Sequence, residues 1–283
     1  MTVLGPLGLG TAPLAEGESA AAQAAVEEAL GAGVDYFDTA PLYGAGSAER
    51  RLGLALAGVE RTSYKVSTKA GRRVVGDQVE YDFSADGISR SVEESLTRLG
   101  LDRVDIVHLH DPDDHVRQAL DEAYPVLDDL RRQGVIGAIG IGMNSPEIPA
   151  RFVRDTDLDV VLIAGRYTLL DRSAADDLLP LAAGRDVAVV AGGVFNSGIL
   201  AGGSTYDYRP APPGIVDRVD RLARVCASYG VPLKAAAMRF PATHPAVTTV
   251  LIGCATATEA RENVELWGQP LPPDLWTALH ACL

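Results

Sequence analysis

The stretch DYFDTAPLYG, residues 35–44, sets an aspartate at the end of an apolar run and a tyrosine five residues later, around a proline and a glycine. A carboxylate at the end of a buried strand costs free energy unless a charged group neutralises it. The partner of Asp38 has to come from elsewhere in the chain.

Similar β-branched, apolar runs recur along the sequence: LGLGT (7–11), VDYFDT (34–39), YKVSTK (64–69), VDIVHLH (104–110), VIGAIGIGM (135–143), VVLIAG (160–165), VAVVAGG (187–193) and TTVLIG (248–253). Near-continuous apolar strands pair in parallel and are buried on both faces. Amphipathic runs between them predict helices over 19–31, 47–57, 84–100, 115–134, 146–154, 173–183, 214–229 and 258–266. Ser19, Ser47 and a Ser or Asp near 84 are the expected N-caps. Gly31 or Gly33, Gly100 and Gly134 are the expected stops, and Pro125 predicts a kink. Eight alternating βα units in 283 residues fit an α/β fold of the (β/α)8 barrel type, as a single domain over 1–283. An open doubly wound sheet would carry GxGxxG after its first strand, and GLGTAPLAEG does not.

Bulk properties narrow the function. Hydrophobic residues make up 47% and charged residues 22%, as in an ordinary soluble domain. No apolar run reaches the ~18 residues of a membrane span, and MTVLGPLGLG lacks the basic start of a signal peptide. Cys226, Cys254 and Cys282 show no metal spacing, which predicts a reduced, cytoplasmic protein. A net charge of −13 argues against nucleic-acid or anionic-membrane partners. A monomer or weak homo-oligomer acting on a small molecule is the expectation.

Barrel chemistry gathers at the C-terminal strand ends. Asp38 and Tyr43 follow the second predicted strand, Lys69 ends the third and His110 ends the fourth. Lys69 is therefore the expected partner of Asp38. Its ammonium beside Tyr43 would lower the phenol from its ordinary value of about 10, and His110 would orient a carbonyl oxygen. Such a site moves a proton while something else moves hydride.

These residues resemble the aldo-keto reductase family. DTAPLYGAGSAE meets its D-x-A/T-x-x-Y-G-x-x-E pattern in outline through Asp38, Tyr43, Gly44 and Glu49, and STK and DIVHLHDP supply the lysine and histidine. The resemblance implies Tyr43 as acid/base, Lys69 and Asp38 as its tuners and His110 as substrate orienter. It also implies an extended nicotinamide cofactor, NAD or NADP. The small residues of AGGVFNSGILAGG (191–203) then suit a pyrophosphate, with Phe195, Asn196, Ser197, Gly198 and Leu200 in the cofactor loop. The resemblance adds Thr11, Asn144 at the carboxamide, Gly253 and Glu259 near the ribose, and Asn263 at the adenine. NADP-preferring members carry a lysine and an arginine where this chain has Gly253 and Glu259, so NAD is expected; Arg261 turning inward would reverse that. Ala164 and Gly192 replace a glutamine and a nicotinamide-stacking tyrosine common in the family, with Phe195 as the candidate stand-in.

AGRYTLLD and GGVFNSGIL resemble a branch acting on L-fucose, D-threo-aldoses or L-galactose, which includes pyridoxal 4-dehydrogenase. A small polar aldehyde or an aldose is the expected substrate. Asp111, with Asp113 and Asp114, is expected to accept bonds from its hydroxyls; helix capping is the alternative for the latter two. The H-x-H of His108 and His110 also suggests a metal hydrolase, but later strands end without further histidines, so no metal is expected. A cofactor-sensing regulatory subunit is the non-enzymatic rival. GRR (71–73) and RRQG (131–134) read as solvated faces.

Overall fold

The computed structural model describes residues 4–282 and contains a closed barrel of parallel strands. In chain order these are β1 (Leu7–Gly10), β2 (Tyr36–Asp38), β3 (Lys65–Ala70), β4 (Val104–His110), β5 (Ile136–Met143), β6 (Val160–Ala164), β7 (Ala188–Gly192) and β8 (Val247–Gly253). Each strand pairs with its neighbour in sequence, and β1 closes on β8 with Leu7 opposite Val250. This is the (β/α)8 fold expected from the alternating pattern.

The surrounding helices are α1 (Ser19–Gly31), α2 (Ser47–Leu56), α3 (Ala85–Leu99), α4 (Tyr124–Arg132), α5 (Glu147–Asp155), α6 (Leu178–Gly184), α7 (Pro213–Ser228), α8 (Leu233–Arg239), α9 (Ala257–Gly268) and α10 (Asp274–His280). α3 shows the expected chemistry at both ends. Ser84 caps it by accepting from the Gly87 amide at 3.1 Å, and Gly100 stops it at φ 65°. Two other expected caps are absent. Glu18, not Ser19, precedes α1 and gives no side-chain bond. Ser47 lies inside α2 after Gly46, with its hydroxyl turned to the Ala15 carbonyl at 3.1 Å. A hydroxyl caps only where a neighbouring loop leaves it free.

The expected kink at Pro125 is a π-helical turn over Ala119–Ala123 leading into α4. Proline has no N–H for the carbonyl four residues back, so the ladder changes register there. The helix predicted over 173–183 splits into a 3-10 turn at Ser173–Ala175 and α6. Two hairpins and α8 were not expected. One hairpin joins Arg72–Val75 to Gln78–Tyr81, and the other joins Thr205–Tyr206 to Arg209–Pro210.

Strand alternation sorts the side chains. Val107 and Leu109 of β4 join the apolar layer under the helices, while Ile106 joins Tyr36, Val160, Leu162, Val190 and Leu251 inside the barrel. His108 lies two residues from Ile106 and is fully buried. Its ring takes the space of a side chain at Gly140, whose added Cβ would come within 2.1 Å of Nδ1. His110, two residues further, ends the strand.

Candidate active site

The Asp38 partner is Lys69. Nζ donates to Asp38 Oδ2 at 2.6 Å and to the Thr39 carbonyl at 2.9 Å, and both side chains are 2% exposed. Strand register makes this contact: Asp38 is level with Ser67 in β3, and Lys69 is level with His108 in β4. The second carboxylate oxygen accepts from Ser67 Oγ at 2.7 Å, and Ser67 Oγ lies 2.8 Å from the Tyr36 hydroxyl. Both acceptor oxygens of the buried aspartate are thus satisfied, as burial requires. Neither Tyr36 nor Ser67 stands out in the sequence, because each is an unremarkable strand residue until pairing brings them level.

Tyr43 is carried by the turn after β2. Gly44 sits at φ 56°, and a Cβ there would come within 2.8 Å of the Ala15 Cβ, so only glycine suits the turn. Lys69 Nζ stands 4.8 Å from the Tyr43 ring centroid. Glu49 anchors the following helix: fully buried, it accepts from Thr68 Oγ1 at 2.6 Å and from Arg98 Nε at 2.5 Å. The His110 ring meets Tyr43 edge-on, with centroids 6.2 Å apart and planes at 88°.

The electrostatics differ from expectation at Tyr43. Burial raises its phenol above the ordinary value, and Lys69 opposes the rise without reversing it. The sequence-based expectation of a lowered value weighs the cation and omits desolvation. Burial works to lower Lys69, but the Asp38 carboxylate and Tyr43 together more than offset it, so its value lies above the ordinary one and the ammonium stays charged. Burial, reinforced by Lys69 and Arg72, holds His110 well below the usual histidine range, so its imidazole is neutral at neutral pH. The site therefore presents a protonated phenol, a fixed cation and a neutral imidazole around one strand-end space. That combination can exchange a proton with an oxygen held between tyrosine and histidine.

Asp111 follows His110 but is not a free carboxylate. It adopts φ 43°, and Oδ2 accepts from Arg72 Nη1. Arg72 belongs to the unexpected hairpin after β3 and is 17% exposed, so GRR is not simply a solvated face. Asp113 and Asp114 are exposed in the 3-10 turn Asp113–His115, in keeping with a helix-start role.

The expected cofactor residues lie along one arc of the strand ends. Thr11 follows β1, fully buried, with no partner for Oγ1. Asn144 is exposed after β5, and its carbonyl accepts from Arg166 Nε at 2.6 Å. Asn196, Ser197 and Gly198 have φ of 45°, 62° and 103°. Asn196 is buried; its Nδ2 donates to the Gly165 carbonyl at 3.2 Å while Oδ1 has no partner. Phe195 is half-buried against the apolar core, and Gly192 is buried at the end of β7. Leu200 is buried with its N–H on the Phe195 carbonyl at 3.2 Å, so it shapes the loop from within.

The second hairpin covers this loop. The Tyr208 amide donates to Ser197 Oγ at 2.9 Å, and Arg166 Nη1 lies 3.2 Å from both Asp207 carboxylate oxygens. A cavity of about 170 Å3 beneath it is lined by Asn144, Gly165, Arg166, Asn196, Ser197 and Tyr208, among others. A larger groove of about 960 Å3 lies between Leu54 and Arg103, beside the segments that enter β3 and β4 at the opposite end of the barrel. It touches none of the strand-end residues described above.

At β8, Gly253 is exposed. Glu259 Oε2 accepts from the Ala255 amide at 2.7 Å while its own amide donates to Thr256 Oγ1 at 3.2 Å, a reciprocal cap on α9. Arg261 does not turn inward: its Nε and Nη2 donate to Glu28 at 2.9 and 2.7 Å. Asn263 is buried with no partner for Oδ1. Orphaned oxygens on Thr11, Asn196 and Asn263, with the left-handed turn between them, fit an extended polar ligand such as a dinucleotide. Among the described residues no three His, Cys, Asp or Glu side chains are grouped to hold a metal ion, and no helix is long and apolar enough to cross a membrane.

The aldo/keto reductase family model matches residues 6–283. A D-threo-aldose 1-dehydrogenase from a Pseudomonas species is 40% identical, over 91% of this chain and 86% of its own length. The pyridoxal 4-dehydrogenase of Microbacterium luteolum is 37% identical, over 97% of this chain and 93% of its own. Among solved structures, an aldo-keto reductase from Bacillus halodurans in its holo form superposes with a TM-score of 0.84 at 27% identity, covering 99% of this chain and 95% of that one. Family match, relatives and barrel thus converge, and the chain belongs to the aldo/keto reductase family, whose members are oxidoreductases of carbonyl and alcohol groups that use a nicotinamide cofactor.

Proposed function

We propose that the protein is an aldose 1-dehydrogenase, oxidising the C1 hydroxyl of a small sugar lactol to the lactone, with Tyr43 as its acid/base. The observation that carries this reading is the Asp38–Lys69 pair at 2.6 Å beside the Tyr43 ring, which in turn meets the His110 ring edge-on. The nicotinamide, when bound, supplies the hydride acceptor. The chain's own part is the proton: the Tyr43 phenolate, which Lys69 favours, takes it from the C1 hydroxyl and becomes the phenol. His110, being neutral, can donate one N–H to the same substrate oxygen and orient it. In the reverse direction Tyr43 returns the proton to the carbonyl oxygen.

Thr11, Asn144, the 195–198 loop and Asn263 would hold the cofactor. The absence of a basic residue at Gly253 and Glu259, and the engagement of Arg261 with Glu28, support NAD over NADP. Three unpaired cysteines, two of them buried, fit a reducing cytoplasm. Similarity to D-threo-aldose 1-dehydrogenase supports the substrate class. The pyridoxal 4-dehydrogenase at 37% identity makes pyridoxal the second reading. A panel of aldoses, pyridoxal and simple aromatic aldehydes, run with both cofactors in both directions, separates them. Activity on aromatic aldehydes with none on any aldose would contradict the proposal.

A further inference from the structure

Arg72 reaches the strand-end space from a hairpin outside the barrel. Its guanidinium lies 5.2 Å from the Tyr81 ring centroid, and Tyr81 and Phe83 each stack on His115 at 5.6 Å, which ties the hairpin to the segment after β4. Arg72 pairs with Asp111 Oδ2, and that same oxygen lies 3.8 Å from His110 Nε2. The Asp111 amide is fixed on the Gly142 carbonyl at 3.0 Å, and φ is 43°, a value that aspartate and asparagine tolerate better than most residues. The carboxylate is thus held beside one particular nitrogen of His110, while the other, Nδ1, is buried without a partner.

A neutral imidazole carries its proton on either nitrogen, and the neighbouring group decides which. At 3.8 Å no hydrogen bond joins Asp111 to Nε2, so an N–H there stays free for the substrate oxygen, while the nearby negative charge favours a proton over a lone pair on that nitrogen. Burial raises the Asp111 carboxyl above its ordinary value, and the Arg72 guanidinium opposes that rise and favours the carboxylate.

We propose that Arg72 and Asp111 are positioning residues that hold His110 with its proton on Nε2, so that this nitrogen is the donor to the substrate oxygen. The inference rests on the reading of His110 as substrate orienter. It makes the hairpin, rather than the barrel alone, part of the working site.

The test is nitrogen NMR of the full-length protein labelled with 15N-histidine, with the His110 signals assigned by His110→Gln. The wild type is expected to show the Nε2–H pattern. Asp111→Asn keeps the size and the tolerated backbone but removes the charge, and should move the tautomer ratio at least about fivefold toward Nδ1–H. Arg72→Met should shift it in the same direction and lower kcat about 10-fold or more with the cofactor KM within about twofold, the pattern of a misplaced tautomer. Arg72→Lys should restore part of both. A proton on Nδ1 in the wild type, or an unchanged Nε2–H pattern in both charge-removing variants, would overturn the proposal. The spectra need no substrate, so a failed aldose panel with the Nε2–H signature intact would strike the functional reading alone.

Discussion

Lys69 Nζ and Asp38 Oδ2 lie 2.6 Å apart at the ends of β3 and β2, each side chain 2% exposed. Two charges removed from water this completely depend on each other. Lys69→Met should therefore destabilise the protein by about 3–5 kcal/mol, because it leaves the carboxylate buried and unpaired. Urea unfolding of the variant measures this. A loss under about 1 kcal/mol would mean that water reaches Asp38 freely.

Ser67 should matter for a related reason. It links Tyr36 to the second oxygen of Asp38 through bonds of 2.8 and 2.7 Å. Ser67→Ala strands a buried phenol and a carboxylate oxygen together, and should cost about 1–3 kcal/mol by the same unfolding assay. An unchanged midpoint would show that the link is idle.

Buried histidines give the protein an acid limit. Burial pushes His108 down to about 4, from an unfolded value near 6.5. A lowered folded value means that stability is fully present above the unfolded value and is lost as pH falls towards the folded one. His108 alone should remove about 3 kcal/mol between roughly pH 6.5 and 4, at about 1.4 kcal/mol per unit. His110 shifts in the same direction and adds to the loss. Unfolding free energies at pH 7 and pH 5 check the sign, and equal values would contradict it.

The raised Tyr43 phenol predicts the pH dependence of activity. Oxidation requires the phenolate and reduction the phenol. With the phenol above its ordinary value, oxidation should climb about tenfold per unit from neutral pH upward, whereas reduction should stay flat over that range. An oxidation optimum at or below pH 7 would contradict the assignment of Tyr43 as base.

Cofactor preference follows from charge. kcat/KM should be higher with NAD, and Glu259→Arg should raise the relative value for NADP. Glu259 also caps α9 through the Ala255 amide, so the variant should lose about 1 kcal/mol of stability as well. A wild-type preference for NADP would refute the reading.

The strands are legible in the sequence because burial on both faces leaves them almost without polar residues, and the four loaded residues mark their ends. The site beyond those residues is not. Arg72 and Asp207 act from hairpins whose short, half-exposed strands lack a periodic signal, and α8 hides in the Ala-rich run between α7 and β8. Ser19 and Ser47 have the composition of caps, but loop contacts decide where a hydroxyl turns. The sign at Tyr43 needed its burial, which a strand-end position does not reveal.

The most direct test of the account is the rate of cofactor reduction with an aldose as substrate, in wild type and in Tyr43→Phe. The wild type is expected to oxidise an aldose measurably, and the variant to lose at least about 100-fold in kcat with cofactor affinity nearly unchanged. Aldose oxidation by Tyr43→Phe at close to the wild-type rate would contradict it.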